Sequence, residues 1–97
     1  MSQNEFQESA RFIILGELAR QTDGRLNERI IAGVLDANGY SKSREWLRTQ
    51  LLKMEELGAV RLTEIGDTFV AAITRAGEEH YERKSTIDGI SRRPREG

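Results

Sequence analysis

Apolar residues fall at helical spacing in three successive stretches and then switch to strict alternation. In the first stretch Phe6, Ala10, Ile13, Ile14 and Leu18 form one stripe of a helix running to about Gln21, because side chains three and four positions apart share a helical face. Phe12, Leu15 and Ala19 form a second stripe on the same helix. Two stripes exceed what a helix on the rim of one core requires. The second therefore either faces a second subunit or is buried within the chain. Ser2 and Glu5 have the spacing of a capping box at the helix start. Gly16 lies inside the helix, where glycine costs about 1 kcal/mol relative to alanine, and its missing side chain permits close approach of a neighbour.

Thr22, Asp23 and Gly24 break the pattern as a turn, and Arg25-Leu26 reads as a very short strand or a bridge. Asn27 can cap a second helix with Ile30, Ile31, Val34 and Leu35 on its apolar face, and Asn38-Gly39 suits its end. A short connection through Tyr40 leads to a third helix from Ser41 to Leu57. Ser41 is its expected N-cap, Gly58 its left-handed stop, and Leu47, Leu51, Met54 and Leu57 its buried face. From Ala59 to Ile65 the period becomes two. Gly66-Asp67 is a two-residue hairpin signal, and Phe69 to Thr74 returns as the second strand. A turn centred there sets Leu62 opposite Ala71 and Val60 opposite Ile73, with apolar groups on one face. Thr74 caps a last helix, RAGEEHYERKS, with Glu78 and Glu79 near its positive end.

The predicted order is helix, helix, helix, strand, strand, helix, a mainly α domain with a small β-hairpin in the α+β class. A chain of 97 residues supports one core, so residues 1–85 are read as a single domain. Residues 86–97, with Pro94 and the arginines at 92, 93 and 95, are read as a flexible basic tail. Charged residues make up 32% and cysteine is absent, which excludes disulfides and thiolate metal sites. No apolar run is long enough to span a bilayer, and no basic-then-apolar leader opens the sequence. A cytoplasmic protein without cofactors or membrane contact is expected. The net charge of -1 argues against indiscriminate binding to polyanions, which needs a broad positive field. Positive charge is instead concentrated locally, as Lys42, Arg44, Arg48 and Lys53 on the third helix against Glu45 alone up to that point. A basic, polar helix start backed by an apolar face suits insertion into a DNA major groove.

Two segments carry a resemblance. The basic helix running through Leu57-Gly58-Ala59-Val60 into a strand is one. The other is Ile73-Thr74-Arg75-Ala76-Gly77-Glu78, which is similar to the I/L-T-x-x-G start of the last helix in winged-helix regulators. Over roughly residues 8 to 85 the chain resembles the small winged helix-turn-helix proteins of Mu-like phages and prophages, often labelled ArsR-like or MarR-like regulators. The resemblance implies that the third helix enters the major groove of double-stranded DNA. By position, Ser41, Lys42, Ser43, Arg44 and Arg48 form the groove-facing set, with Arg61 on the wing. Arg44 and Arg48 share a helix face and are both expected to lie clear of the fold. The short wing carries Asp67 at its tip, where a carboxylate repels phosphates. A homodimer, through Phe12, Leu15 and Ala19, would read a palindrome. The alternative function is a phage accessory protein that uses the same fold as an adaptor for a protein partner.

No catalytic constellation is visible, so the chain is not expected to be an enzyme. His80 has no second histidine or cysteine to join it and reads as a packing residue. Trp46 reads as cover for the edge between the second and third helices.

Overall fold

The computed structural model describes residues 3 to 92, and the Ser2 cap and the end of the expected tail lie outside them. Helix α1 (Gln3–Arg20) is the axis of the molecule, buried on several sides rather than one. Ile14, Leu15 and Leu18 are completely enclosed. Strand β1 (Arg25–Asn27) follows, then α2 (Glu28–Ala37), α3 (Arg44–Glu56), β2 (Val60–Ile65), β3 (Thr68–Ile73) and α4 (Arg75–Tyr81). The Arg25-Leu26 stretch is thus a true strand. It pairs antiparallel with β3 and extends the expected hairpin to a three-stranded sheet of order β1-β3-β2.

Local chemistry sets the boundaries. The Asn27 side chain accepts the Ile30 N–H and starts α2. Helix α3 starts two residues later than the sequence suggests. Its cap is Ser43, whose Oγ accepts the Trp46 N–H at 3.0 Å, while the Ser41 hydroxyl donates to Asp36. The β2–β3 register is the one implied by a Gly66-Asp67 turn, with Leu62 against Ala71 and Val60 against Ile73. Leu47, Leu51 and Met54 of α3 meet Ile31 and Leu35 of α2 and the inner sheet residues Val60 and Ala71 in one core.

The expectation that order is lost after Ser85 is corrected through Arg92. Helix α4 stops early because Arg83 turns left-handed, with φ of 65°. The chain then returns as a strap across α1. Ile90 is buried in the core. Buried His80 holds both ends of the strap: its Nδ1 accepts the Ile87 N–H at 2.9 Å, and its Nε2 lies 2.8 Å from the Ser91 carbonyl. The accepting Nδ1 leaves the proton on Nε2, which donates to that carbonyl. Arg11 donates to the Gly89 carbonyl at 2.6 Å and to Gln50 Oε1 at 2.9 Å, joining the strap to α1 and α3. Burial pulls the Arg11 guanidinium below its ordinary pKa, with Glu8 opposing. A polar-looking segment was readable only as a tail because its two apolar anchors, Ile87 and Ile90, show no helical or strand period.

Candidate nucleic-acid interface

Helices α2 and α3 meet at a cleft of about 310 Å³ beside the N-terminal end of α3. Arg29, Lys42 and Arg44 stand around it, and Glu28 lies at its base. The first turn of α3 leaves backbone N–H groups and a partial positive charge at the same place. Lys42 extends over the Phe6 ring, 5.0 Å from its centroid. Phe6 in turn packs on Tyr40 and on half-buried Trp46, with centroids 4.7 and 5.9 Å away. The aromatic group fixes where the Lys42 ammonium sits, so Trp46 serves as packing at this edge.

Glu28 is 2% exposed and organises the interior side of the cleft. Its position follows from the sheet. β1 ends at Asn27, opposite Val70. The next N–H along β3, that of Phe69, has no strand to bond to, and Glu28 Oε1 accepts it at 2.9 Å. Arg48 grips the same carboxylate with two hydrogen bonds, of 2.9 and 2.6 Å, and stacks over the Phe69 ring. Arg44 reaches it at 3.4 Å. Both arginines also donate to the carbonyl of Asp67 at the hairpin tip. The Arg48 hydrogen bonds hold the Glu28 carboxyl at about 2, and burial, which opposes them, is outweighed; the Phe69 N–H and Arg44 add to the depression.

The expected groove-facing set therefore divides. Lys42 and Arg44 are exposed at the cleft. Ser41 is bonded to Asp36 and Ser43 caps α3. Arg61 is exposed on β2, in register with Ala72 and away from the cleft. Arg48 is corrected from a free surface cation to a fold residue: its side chain is 27% exposed, against 47% for Arg44. Arg48→Ala is expected to lower the melting temperature, whereas Arg44→Ala leaves it nearly unchanged; thermal denaturation of the two variants side by side checks this. The hairpin tip is tied back onto α3 through the Asp67 carbonyl.

The expected dimer stripe is corrected as well. Leu15 is 0% exposed and Phe12 7% within a single chain. Phe12 packs on Tyr81 of α4, with ring centroids 5.4 Å apart. Only Ala19 stays half-exposed. The second stripe exists because α4 and the strap cover it.

Glu28 and Arg29 were missed in the sequence. An acid just after a helix cap is ordinary, since it complements the helix dipole. The partners that make Glu28 special lie 16, 20 and 41 residues away, so no local spacing signals it. Among the described residues no cluster of acidic or histidine side chains is placed to hold a metal, and no helix is long and apolar enough to cross a membrane.

The chain is 30% identical over 89 residues to "Uncharacterized protein gp26" of Escherichia phage Mu, an alignment covering 91% of this chain and 92% of that protein. No protein-family model matches the chain, and no solved structure matches it significantly.

Proposed function

The chain belongs to the family of gp26 of Escherichia phage Mu, and on that premise we propose that it is a non-enzymatic, DNA-binding winged-helix protein acting as a phage-type transcriptional regulator. The element order supports a winged helix: three helices, a two-stranded wing, a closing helix, and a short first strand that completes the sheet. The observation that carries DNA binding is the ring of Arg29, Lys42 and Arg44 at the start of α3. Cations there meet phosphates on both sides of a groove into which the helix end is inserted. Arg44, whose side chain is 47% exposed and which reaches Glu28 only at 3.4 Å, is the arginine that can exchange that contact and its bond to the Asp67 carbonyl for a guanine edge. Arg48 holds the wing and α3 in place behind it. Glu45 and Thr49, exposed in the first two turns of α3 and four residues apart on one helix face, border the same groove, and Glu45 can accept from cytosine.

The test is fluorescence anisotropy on duplexes from around the gene, from low to physiological salt. Affinity should fall steeply with salt. Lys42→Ala should weaken every duplex alike and lower the logarithmic salt slope by about one unit, as loss of one phosphate contact does. An absence of salt-dependent binding even at low ionic strength would sink the reading. The adaptor reading has its own supporting observation. Leu52, 51% exposed on α3, and Ile65, 63% exposed near the wing tip, are large apolar side chains open to solvent, beside a polar face that includes Glu55 and Glu56. A protein partner would cover these two first, and Leu52→Ser would then abolish its capture while leaving DNA affinity intact.

A further inference from the structure

The groove between α1 and α4 holds a cavity of about 470 Å³ that nucleic-acid binding leaves unused. Phe12, Gly16 and Tyr81 contribute its apolar, aromatic part. Gly16 matters because a Cβ at that position would stand 3.0 Å from Tyr81 Cε1, so the missing side chain lets the Tyr81 ring lie against α1. Arg20, Arg83 and Arg92 supply the charge. Glu17 engages Arg20 at 2.6 Å. Among the described residues Arg83 and Arg92 have no ion-pair partner. The volume lies within the range of small-molecule sites, which combine apolar walls with a few convergent polar groups.

The backbone makes a second, independent point. Five glycines have positive φ, and Arg83 is the sole other described residue that does. It sits just past the end of α4, where glycine closes a helix without strain. An arginine at such a position is a local cost to the fold, and residues kept against such a cost cluster at binding sites. The side chain it supplies lines this cavity.

We propose that the α1–α4 groove is a binding site for a small organic anion, a carboxylate or phosphate carried on an aromatic body. The Phe12 and Tyr81 rings take the flat body, and Arg83 and Arg92 take the anionic group by charge-assisted hydrogen bonds. The site shares no residue with the α2–α3 cleft, so it stands whether or not the protein binds DNA. Asn38, at the end of α2, also lines it. An occupant therefore touches the turn that leads into α3.

The experiment titrates the intact chain with phenyl phosphate, benzoate and inorganic phosphate, following backbone amide NMR shifts. Phenyl phosphate or benzoate should bind saturably with a dissociation constant of about 1 mM or tighter. Inorganic phosphate should bind about ten-fold more weakly than phenyl phosphate, because burying one ring contributes about that factor. Arg83→Gly should weaken phenyl phosphate by about five-fold or more while the melting temperature holds or rises, a combination that a merely structural arginine does not give. Arg92→Gln should weaken it similarly. The proposal is overturned if neither aromatic anion shifts resonances around Phe12 and Tyr81, if the Arg83→Gly/Arg92→Gln double variant keeps wild-type affinity, or if inorganic phosphate binds as tightly as phenyl phosphate. Loss of DNA affinity has no bearing on any of these readings.

Discussion

Glu28→Ala is expected to destabilise the protein by about 3–5 kcal/mol, the range for breaking a buried ion pair by removing one partner. Three groups lose their acceptor together. The Phe69 N–H, beyond the end of β1, has no other partner in the sheet. Arg48 loses both hydrogen bonds to the carboxylate, and Arg44 loses its longer contact. Glu28→Gln separates these contributions. Its carbonyl oxygen can still accept from Phe69, but its amide cannot neutralise Arg48, so a smaller loss is expected. The pH dependence has a definite sign. The Glu28 carboxyl titrates at about 2 instead of 4.5. A depressed carboxylate stabilises the fold in full above its unfolded pKa, and that stability is lost as pH falls through the folded one. The full shift converts to roughly 3 kcal/mol, and about 2 is the better figure because Arg48, the main partner, and Arg44 both reach solvent, at 27% and 47% exposure, and are screened. The stability gap between wild type and Glu28→Gln should therefore close from about pH 5 down to about pH 2. Urea denaturation at several pH values reads it directly, and a gap that stays constant would mean that Glu28 is not charged in the fold.

The same carboxylate explains what was legible in the sequence and what was not. Helix faces, the Asn27 cap, the positive-φ glycines at 39, 58 and 66 and the register of β2 on β3 all follow from local spacing, and the structure has them. Ser41 has the chemistry of a cap for α3, but its hydroxyl is taken by Asp36, and Ser43, two residues on, caps the helix instead. The apolar stripes of α1 were visible, but a stripe does not state what covers it. Here the cover is Tyr81 and the strap. Arg44 and Arg48 look equivalent along the chain, four residues apart on one face. They differ in what they meet: Arg48 makes two hydrogen bonds to Glu28 and stacks on Phe69, whereas Arg44 reaches Glu28 only at 3.4 Å and is more exposed. Positive charge counted along a helix overstates the positive charge that faces outward.

The largest effect expected from a single methyl group is at Gly77. This glycine lies in the first turn of α4, three residues after the Thr74 cap that accepts its N–H at 3.1 Å. Glycine is present for space, not for an unusual backbone angle. A Cβ there would stand 2.3 Å from the Ala59 carbonyl oxygen, 3.0 Å from Ile73 Cγ1 and 3.1 Å from Leu15 Cδ1. The carbonyl cannot yield freely, because it already accepts the Thr74 N–H at 3.0 Å, and the Thr74 hydroxyl is shared between it and the Gly58 carbonyl, at 3.0 and 2.6 Å. Moving it pries α4 from the β2 edge and breaks the Thr74 N–H bond. Helix propensity alone favours alanine over glycine by about 1 kcal/mol, and overpacking by a clash this deep costs about 3 or more, to which the lost hydrogen bond adds about 1. The clash wins, and Gly77→Ala should cost about 3 kcal/mol. Gly33 in α2 supplies the opposite case. It is helical and exposed, with nothing within 4 Å of an added Cβ, so Gly33→Ala should stabilise by about 0.5–1 kcal/mol. Chemical denaturation of both variants checks the pair, and a Gly77→Ala protein as stable as wild type would show that α4 does not sit this close to Ala59. The T-x-x-G sequence at 74–77 then has a physical meaning: threonine caps the helix and grips the Ala59 carbonyl, and glycine lets the helix come close enough for it to do so.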